Sequence, residues 1–261
     1  MKQTNKILIV LLCITLVGCS NSQQEEKGFS VGDPQATENG ENEKTEGISK
    51  DSLRFDTRPS NVLLTTMPST RLTTIYKVNR DKKDGTTFIG ANNYLYNEME
   101  LGQGNNWNGN VMPGLRGVYG YNLVNISHYD IPTNKKKAFF DKPVLIKTLY
   151  YPTFSKDTLN YKSIKRNYFL VSVYDQDTNK DGFINLKDLR RFYLFGSNGE
   201  KQKQLVPENY SVFKSEYDPD NDFMFVFARL DKNANGQIDD NEPTNVFWVD
   251  LKDPTKTGQQ Y

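Results

Sequence analysis

Short apolar runs separated by polar turns limit the fold of this chain more strongly than any other pattern in it. Asn-Gly and Asp-Gly pairs between such runs are typical of β-hairpins, because these residues tolerate the positive φ angles of a tight turn. Stretches with the 3.6-residue apolar period of a long amphipathic helix are missing. The sequence therefore predicts a mostly β, antiparallel fold. Hairpin units are predicted over residues 72–89, 121–140, 191–205 and 246–254.

The spacing of these units predicts the architecture. The units begin near residues 72, 122, 191 and 246, and each combines an apolar strand, an Asp or Asn, a polar turn and a second strand. Repeats of this kind are typical of β-propeller blades, and the order of strands and turns is similar to that in bacterial propellers of the Tol type. About four or five divergent blades fit the length of the chain. A β-sandwich or a barrel is the alternative.

Two oxygen-rich stretches near the C-terminal end, residues 177–188 (loop 1) and 231–242 (loop 2), predict binding sites for calcium (Ca²⁺). Calcium is a hard cation that takes about six to eight oxygen ligands. In both loops, side-chain oxygens recur at positions 1, 3 and 5, a carboxylate stands at position 12, and a glycine at position 6 allows a sharp turn. Position 7 offers its main-chain carbonyl, and position 9 often binds through a water. The predicted ligands are Asp177, Asn179, Asp181, Phe183 and Asp188 in loop 1, and Asp231, Asn233, Asn235, Gln237 and Glu242 in loop 2.

The pattern Asp-x-Asn-x-Asp-Gly-x-Ile-Asn-x-x-Asp-Leu over residues 177–189 resembles the EF-hand family. Loop 1 is most similar to the dockerin variant, which also has aspartate at position 12. The resemblance covers the loops and little beyond them, and it implies calcium ligands but no catalytic role. The flanks differ from a helix–loop–helix hand, because residues 168–174 and 223–230 read as strands and Pro243 directly follows loop 2. Only loop 1 has room for a short exit helix, at about residues 186–190.

The first residues predict export. Lys2 and Lys6 precede an apolar stretch over residues 7–17, which is short for a membrane span and fits a secretory signal. The sequence Leu16-Val17-Gly18-Cys19 resembles a bacterial lipobox. This resemblance implies a signal peptide over residues 1–18 and a lipid on Cys19. An uncleaved anchor helix is the alternative.

Residues 19–52 are predicted to be the lipidated cysteine and a disordered acidic tether. Residues 20–52 hold eight acidic and three basic residues, a net charge of −5, and almost no apolar side chains to bury. Ser20 and the acidic run after it resemble outer-membrane and surface-exported lipoproteins. We therefore expect a lipid-anchored protein of the bacterial cell envelope, at the outer membrane or exposed at the cell surface. The alternative is that the tether only keeps the domain clear of the membrane.

Residues 53–261 are predicted to form one β-rich domain that carries both loops. Its basic residues are scattered and form no stripe with aromatic residues, so a nucleic-acid partner is not expected. His128 is the only histidine, which excludes a zinc site built from several histidines and leaves a Ser–His–Asp triad without support.

The sequence therefore predicts a calcium-binding protein that is not an enzyme. The calcium is structural, and the domain serves recognition or assembly with an envelope protein or a glycan that the sequence does not identify. The oligomeric state is left open. The alternative is a calcium-dependent hydrolase of glycans, which needs two or three acidic residues meeting in a pocket away from the loops.

Overall fold

The computed structural model describes residues 27–31, 55–94, 112–153 and 157–261, and all regular structure in them is β. The prediction of a mostly β, antiparallel fold is confirmed. A helix able to cross a membrane is not found in these ranges. The strands, in chain order, are β1 (Gly28–Ser30), β2 (Thr57–Leu64), β3 (Thr70–Arg80), β4 (Thr87–Ile89), β5 (Asn93–Tyr94), β6 (Arg116–Tyr119), β7 (Leu123–Asp130), β8 (Lys135–Ala138), β9 (Leu145–Tyr151), β10 (Thr158–Leu159), β11 (Lys162–Ser163), β12 (Tyr168–Tyr174), β13 (Phe183–Asn185), β14 (Arg191–Gly196), β15 (Lys201–Gln204), β16 (Tyr210–Asp218), β17 (Phe223–Leu230), β18 (Thr244–Asp250) and β19 (Thr257–Gln259).

The strands form three larger antiparallel sheets and two short pairs. A six-stranded sheet, here the central sheet, has the order β15-β14-β12-β9-β6-β5. A five-stranded sheet has the order β2-β3-β7-β8, with β4 also paired to β3, and a four-stranded sheet has the order β16-β17-β18-β19. The short pairs are β1-β13 and β10-β11.

The central sheet is covered on both faces. Every residue of β12 and β14 is buried, although side chains along a strand alternate between its two faces. On one face of β12, Phe169 and Val171 belong to a core cluster that includes Ile126 of the five-stranded sheet. On the other face, Leu170 belongs to a second cluster that includes Val226 of the four-stranded sheet. The three sheets therefore stack as layers with a separate hydrophobic core on each side of the middle one.

The predicted hairpins form, but the predicted propeller is not confirmed. The pairs β3–β4, β7–β8, β14–β15 and β18–β19 are all antiparallel hairpins at the expected positions. Their sheets contain four, five and six strands, and none of these sheets closes on itself within the described part of the chain. The layered arrangement is consistent with the sandwich alternative, because the cores lie between stacked sheets.

The short helix predicted after loop 1 is wrong. Leu186 and Lys187 form a turn, and Asp188 forms an isolated antiparallel bridge with Gln237 of loop 2. A five-residue segment gains too few internal hydrogen bonds to nucleate a helix on its own. The bridge to Gln237 of loop 2 instead holds Asp188 in an extended conformation.

One part of the predicted tether is ordered. Residues 28–30 form β1, which pairs with β13 so that Phe29 faces Ile184. Phe29 is 8% exposed and belongs to a small core cluster with Ile184 and Tyr174. The prediction of disorder is therefore wrong for these residues, because an available strand edge and an apolar pocket for one phenylalanine offset their polar surroundings. The predicted signal peptide over residues 1–18, Cys19, and residues 20–26 and 32–52 of the tether lie outside the described residues.

Candidate metal centre

The two predicted calcium loops connect strands of neighbouring layers. Loop 1 leaves β12 and returns into β14 of the central sheet, and β13 lies inside it. Loop 2 leaves β17 and returns into β18 of the four-stranded sheet. Strands rather than helices therefore hold both loops, as the flanking sequences predict.

The backbones of the two loops turn at the same positions. At position 4, Lys180 and Ala234 have φ angles of 59° and 57°. At position 6, Gly182 and Gly236 have φ angles of 83° and 76°. Positive φ is uncommon for residues other than glycine. Its recurrence at two matching positions shows that the loops share one backbone conformation.

In loop 1 the side chains at positions 1, 3 and 5 accept hydrogen bonds from the loop's own backbone. Asp177 accepts from the N–H of Asp181 at 3.1 Å through Oδ1 and from the N–H of Gly182 at 2.9 Å through Oδ2. Oδ1 of Asn179 also accepts from Asp181, at 3.1 Å. Oδ1 of Asp181 accepts from the N–H of Phe183 at 3.0 Å. These bonds turn the oxygen-bearing side chains towards the inside of the loop.

Loop 2 repeats the same bonds position by position. Asp231 accepts from the N–H of Asn235 at 3.1 Å and from the N–H of Gly236 at 3.0 Å. Oδ1 of Asn233 accepts from Asn235 at 3.0 Å. Oδ1 of Asn235 accepts from the N–H of Gln237 at 3.0 Å. Two segments with different flanking strands thus reach the same internal geometry.

The carboxylate at position 12 of loop 1 closes the loop. Asp188 is fully buried, and it accepts from the N–H of Thr178 at 2.7 Å and from the N–H of Asn185 at 2.8 Å. Burial raises the pKa of Asp188, and its hydrogen bonds act in the opposite direction. A cation beside this carboxylate would also lower its pKa, because it favours the charged form.

Glu242 closes loop 2 in the same way. Its two oxygens accept from the N–H of Lys232 at 2.9 Å and from the N–H of Asp239 at 3.1 Å, again positions 2 and 9 of the loop. A carboxylate has about four lone-pair sites, so each oxygen that accepts one N–H retains capacity for a cation. Asp188 in loop 1 and the longer Glu242 in loop 2 therefore make equivalent contacts from position 12.

The side chain at position 9 was not among the predicted ligands, yet it reaches the others in both loops. In loop 2, Asp239 accepts from the amides of Asn233 and Asn235 at 2.8 and 2.9 Å. In loop 1, Asn185 donates to Asp181 at 3.3 Å. The spacing alone does not reveal this, because position 9 serves either through its side chain or through a water. With Asp239 included, each loop offers three carboxylates.

The loops also contact each other. Oγ1 of Thr178 in loop 1 donates to the main-chain oxygen of Gly236 in loop 2, and the Asp188–Gln237 bridge lies beside this contact. A Cβ atom at position 236 would lie 1.9 Å from the carbonyl oxygen of Thr178. Glycine is therefore required there by the neighbouring loop as well as by its own φ angle.

The chemistry of the loops fits calcium. Groups of three or more His, Cys, Asp or Glu side chains arranged for a metal are not found in the described ranges. Each loop instead combines carboxylate, amide and main-chain oxygens. Such a mixed set of hard donors suits calcium, whereas softer metals prefer imidazole or thiolate.

Buried acids outside the loops are engaged in structural contacts. Asp222 accepts two hydrogen bonds from the guanidinium of Arg166, at 2.9 and 2.7 Å. Asp175 accepts from the hydroxyl of Tyr193 at 2.8 Å. His128 donates through Nε2 to the carbonyl oxygen of Ser197 at 2.9 Å. These contacts place the three side chains in the packing of the sheets.

Neither a family model nor a curated protein matches this chain. The resemblance to EF-hand loops rests on the residues and the geometry given above.

Proposed function

We propose that this protein binds two calcium ions, one in each loop, and that the ions hold its sheets together. The single observation that carries the proposal is the repeated hydrogen-bond set. Positions 1, 3, 5 and 12 of both loops accept from matching backbone N–H groups, at distances of 2.7 to 3.1 Å. This conformation gathers oxygens that repel one another, and a divalent cation offsets that repulsion.

The position of the loops supports a structural role for the ions. Loop 1 belongs to the central sheet and loop 2 to the four-stranded sheet, and the contact between Thr178 and Gly236 joins them. An ion that rigidifies either loop therefore also stabilises the packing of these two layers. Extracellular calcium modules bind with dissociation constants of about 10⁻⁴ to 10⁻³ M. At a calcium concentration of about 100 times the dissociation constant, each ion adds about 2.7 kcal/mol of stability.

The two sites are coupled in this proposal. Thr178 donates through its N–H to Asp188 of its own loop and through its hydroxyl to Gly236 of the other loop. Binding in one loop therefore orders a residue that the other loop contacts. The first ion reduces the ordering that the second ion must impose, which gives positive cooperativity.

Loop 1 also holds the N-terminal segment. β13 lies within the loop, and β1 pairs with it over three residues. Gly28, the first residue of β1, follows Cys19 by nine residues. If Cys19 carries a lipid, calcium in loop 1 keeps the anchored end of the chain attached to the domain.

The test is calorimetric titration of the full chain in a neutral detergent. We expect two calcium ions per chain. Asp231→Ala removes the first ligand of loop 2, so the stoichiometry falls to one and the remaining ion binds more weakly. Asp220→Ala is the matched control, because Asp220 is an exposed aspartate in the β16–β17 turn. Absence of heat and saturation at millimolar calcium rejects the proposal.

The envelope role is the second part of the proposal. The lipobox-like sequence ending in Cys19 supports a lipid anchor, and the acidic residues 20–52 support a position at the outer membrane or cell surface. We propose that the anchored domain serves recognition or assembly with an envelope protein or glycan. Cys19→Ala abolishes incorporation of radiolabelled fatty acid in this proposal, whereas Cys13→Ala leaves it unchanged. Labelling that persists in the Cys19 variant rejects the anchor.

A further inference from the structure

A cavity of about 200 Å³ lies between the central sheet and the four-stranded sheet, away from the oxygen-lined interior of either calcium loop. Lys147, Thr148 and Ser172 line it from β9 and β12, Arg190 from the residue before β14, and Lys214 and Ser215 from β16. None of its lining residues is Asp or Glu. The cavity therefore combines basic groups with hydroxyl groups.

Arg190 is the basic group that lacks a carboxylate. Its Nε donates to the carbonyl oxygen of Val212, and the hydroxyl of Tyr174 lies close to its guanidinium. Within the described part of the chain, Arg190 takes part in no ion pair with an Asp or Glu. Burial of a cation is unfavourable unless an anion compensates it. A ligand anion would supply that compensation.

Lys147 adds a second positive charge at the cavity. Partial burial and the charges of Arg190 and Lys27 lower its pKa. Lys214 differs from these residues because it forms an ion pair with Glu216. The excess positive charge therefore belongs to Lys147 and Arg190.

We propose that this cavity binds a small oxyanion, namely a carboxylate, sulfate or phosphate group. The guanidinium of Arg190 and the ammonium of Lys147 bind its oxygens, and the hydroxyls of Thr148 and Ser172 complete the site. Sites for drug-sized ligands measure about 300–1,000 Å³. The ligand is accordingly a small anion or the acidic end of a longer molecule. None of the predicted calcium ligands lines this cavity.

The test is calorimetric titration of the full chain in neutral detergent, in metal-free buffer and at constant ionic strength. Sodium sulfate, sodium phosphate and sodium glucuronate are added separately, with glucose as the neutral control. We expect saturable binding of at least one anion and none of glucose. Preference for sulfate or phosphate identifies a tetrahedral ligand, and preference for glucuronate identifies a carboxylate. Absence of saturable anion binding, or equal binding of glucose and glucuronate, overturns the proposal.

Two variants assign the binding to this cavity. Arg190→Met and Lys147→Met each remove one charge and are expected to weaken binding roughly tenfold, the scale of one charge-assisted hydrogen bond. Lys147 is more exposed than Arg190, so its variant keeps the test valid if the Arg190 variant fails to fold. Lys136→Met on exposed β8 is the matched control and is expected to bind normally. Unchanged affinity in the Lys147 variant overturns the proposal.

Discussion

At the scale of single residues, glycine is required at position 6 of the two loops for different reasons. Gly182 and Gly236 both have positive φ, but a Cβ atom at position 182 would meet nothing within 4 Å. The same atom at position 236 would lie 1.9 Å from the carbonyl oxygen of Thr178. The first glycine is thus needed for backbone conformation alone, and the second also for the contact between loops.

This difference predicts unequal losses of stability. Gly182→Ala is expected to lower the free energy of unfolding by about 1–2 kcal/mol, which is the usual strain of a left-handed alanine. Gly236→Ala adds overpacking, which typically contributes about 1–3 kcal/mol more. Urea unfolding of the two variants measures both losses. Equal losses would contradict the close contact between the loops.

The predicted ligand residues show how much of the loop geometry can be inferred from their spacing. Side chains at positions 1, 3, 5 and 12 turn inward as the sequence predicts, because each accepts a backbone N–H within its own loop. The contribution of Asp239 at position 9 was not predicted. Whether that side chain or a water completes a loop depends on local rotamers, which the spacing does not determine. The contact of Thr178 with Gly236 was also not predicted, since it joins segments 58 residues apart.

At the scale of strands and hairpins, local and distant pairings differ in how well the sequence predicts them. The Asn198-Gly199 turn predicts the β14–β15 hairpin because the turn chemistry is local. The same hairpin joins the central sheet through β12, which in turn pairs with β9. No short-range pattern reports such pairings, so the spacing between hairpins does not determine whether they assemble as propeller blades or as stacked sheets. The three-residue strand β1 was missed for the same reason.

β1 provides a prediction about calcium at this scale. The N–H of Val31 donates to the carbonyl oxygen of Gly182 inside loop 1 at 2.9 Å. Calcium is expected to slow hydrogen exchange of the amides of residues 29–31, because it orders the loop to which they bond. Removal of calcium with a chelator releases this protection, and mass spectrometry of the N-terminal peptide measures it.

Two controls give this experiment its specificity. Asp181→Ala in loop 1 is expected to remove the calcium-dependent protection of β1, whereas Asp231→Ala in loop 2 reduces it less. The amides of β3 and β7, which pair across the five-stranded sheet, are expected to exchange at the same rate with and without calcium. Equal protection of β1 in both metal states would show that its attachment does not depend on loop 1.

At the scale of the whole molecule, the loops lie where the central sheet and the four-stranded sheet contact each other. The core between the central and four-stranded sheets is apolar and includes Leu170, Leu194, Val226 and Val249. Apolar packing is not directional. The loop contact supplies a directional link between these layers, and calcium in the proposed sites is expected to make that link rigid.

Thermal unfolding tests this arrangement as a whole. If each ion contributes about 2.7 kcal/mol, its removal lowers Tm by about 5–10 °C, since about 1 kcal/mol corresponds to 2–4 °C in a domain of this size. Chelation is expected to cause a larger decrease in the unaltered protein than in Asp231→Ala, which has only one ion to lose. Magnesium is expected to restore little of the loss, because it requires a smaller octahedral site and gives up its water reluctantly. A Tm that is the same with calcium and with chelator would mean that the sheets hold together without the loops, and the structural role of the ions would have to be abandoned.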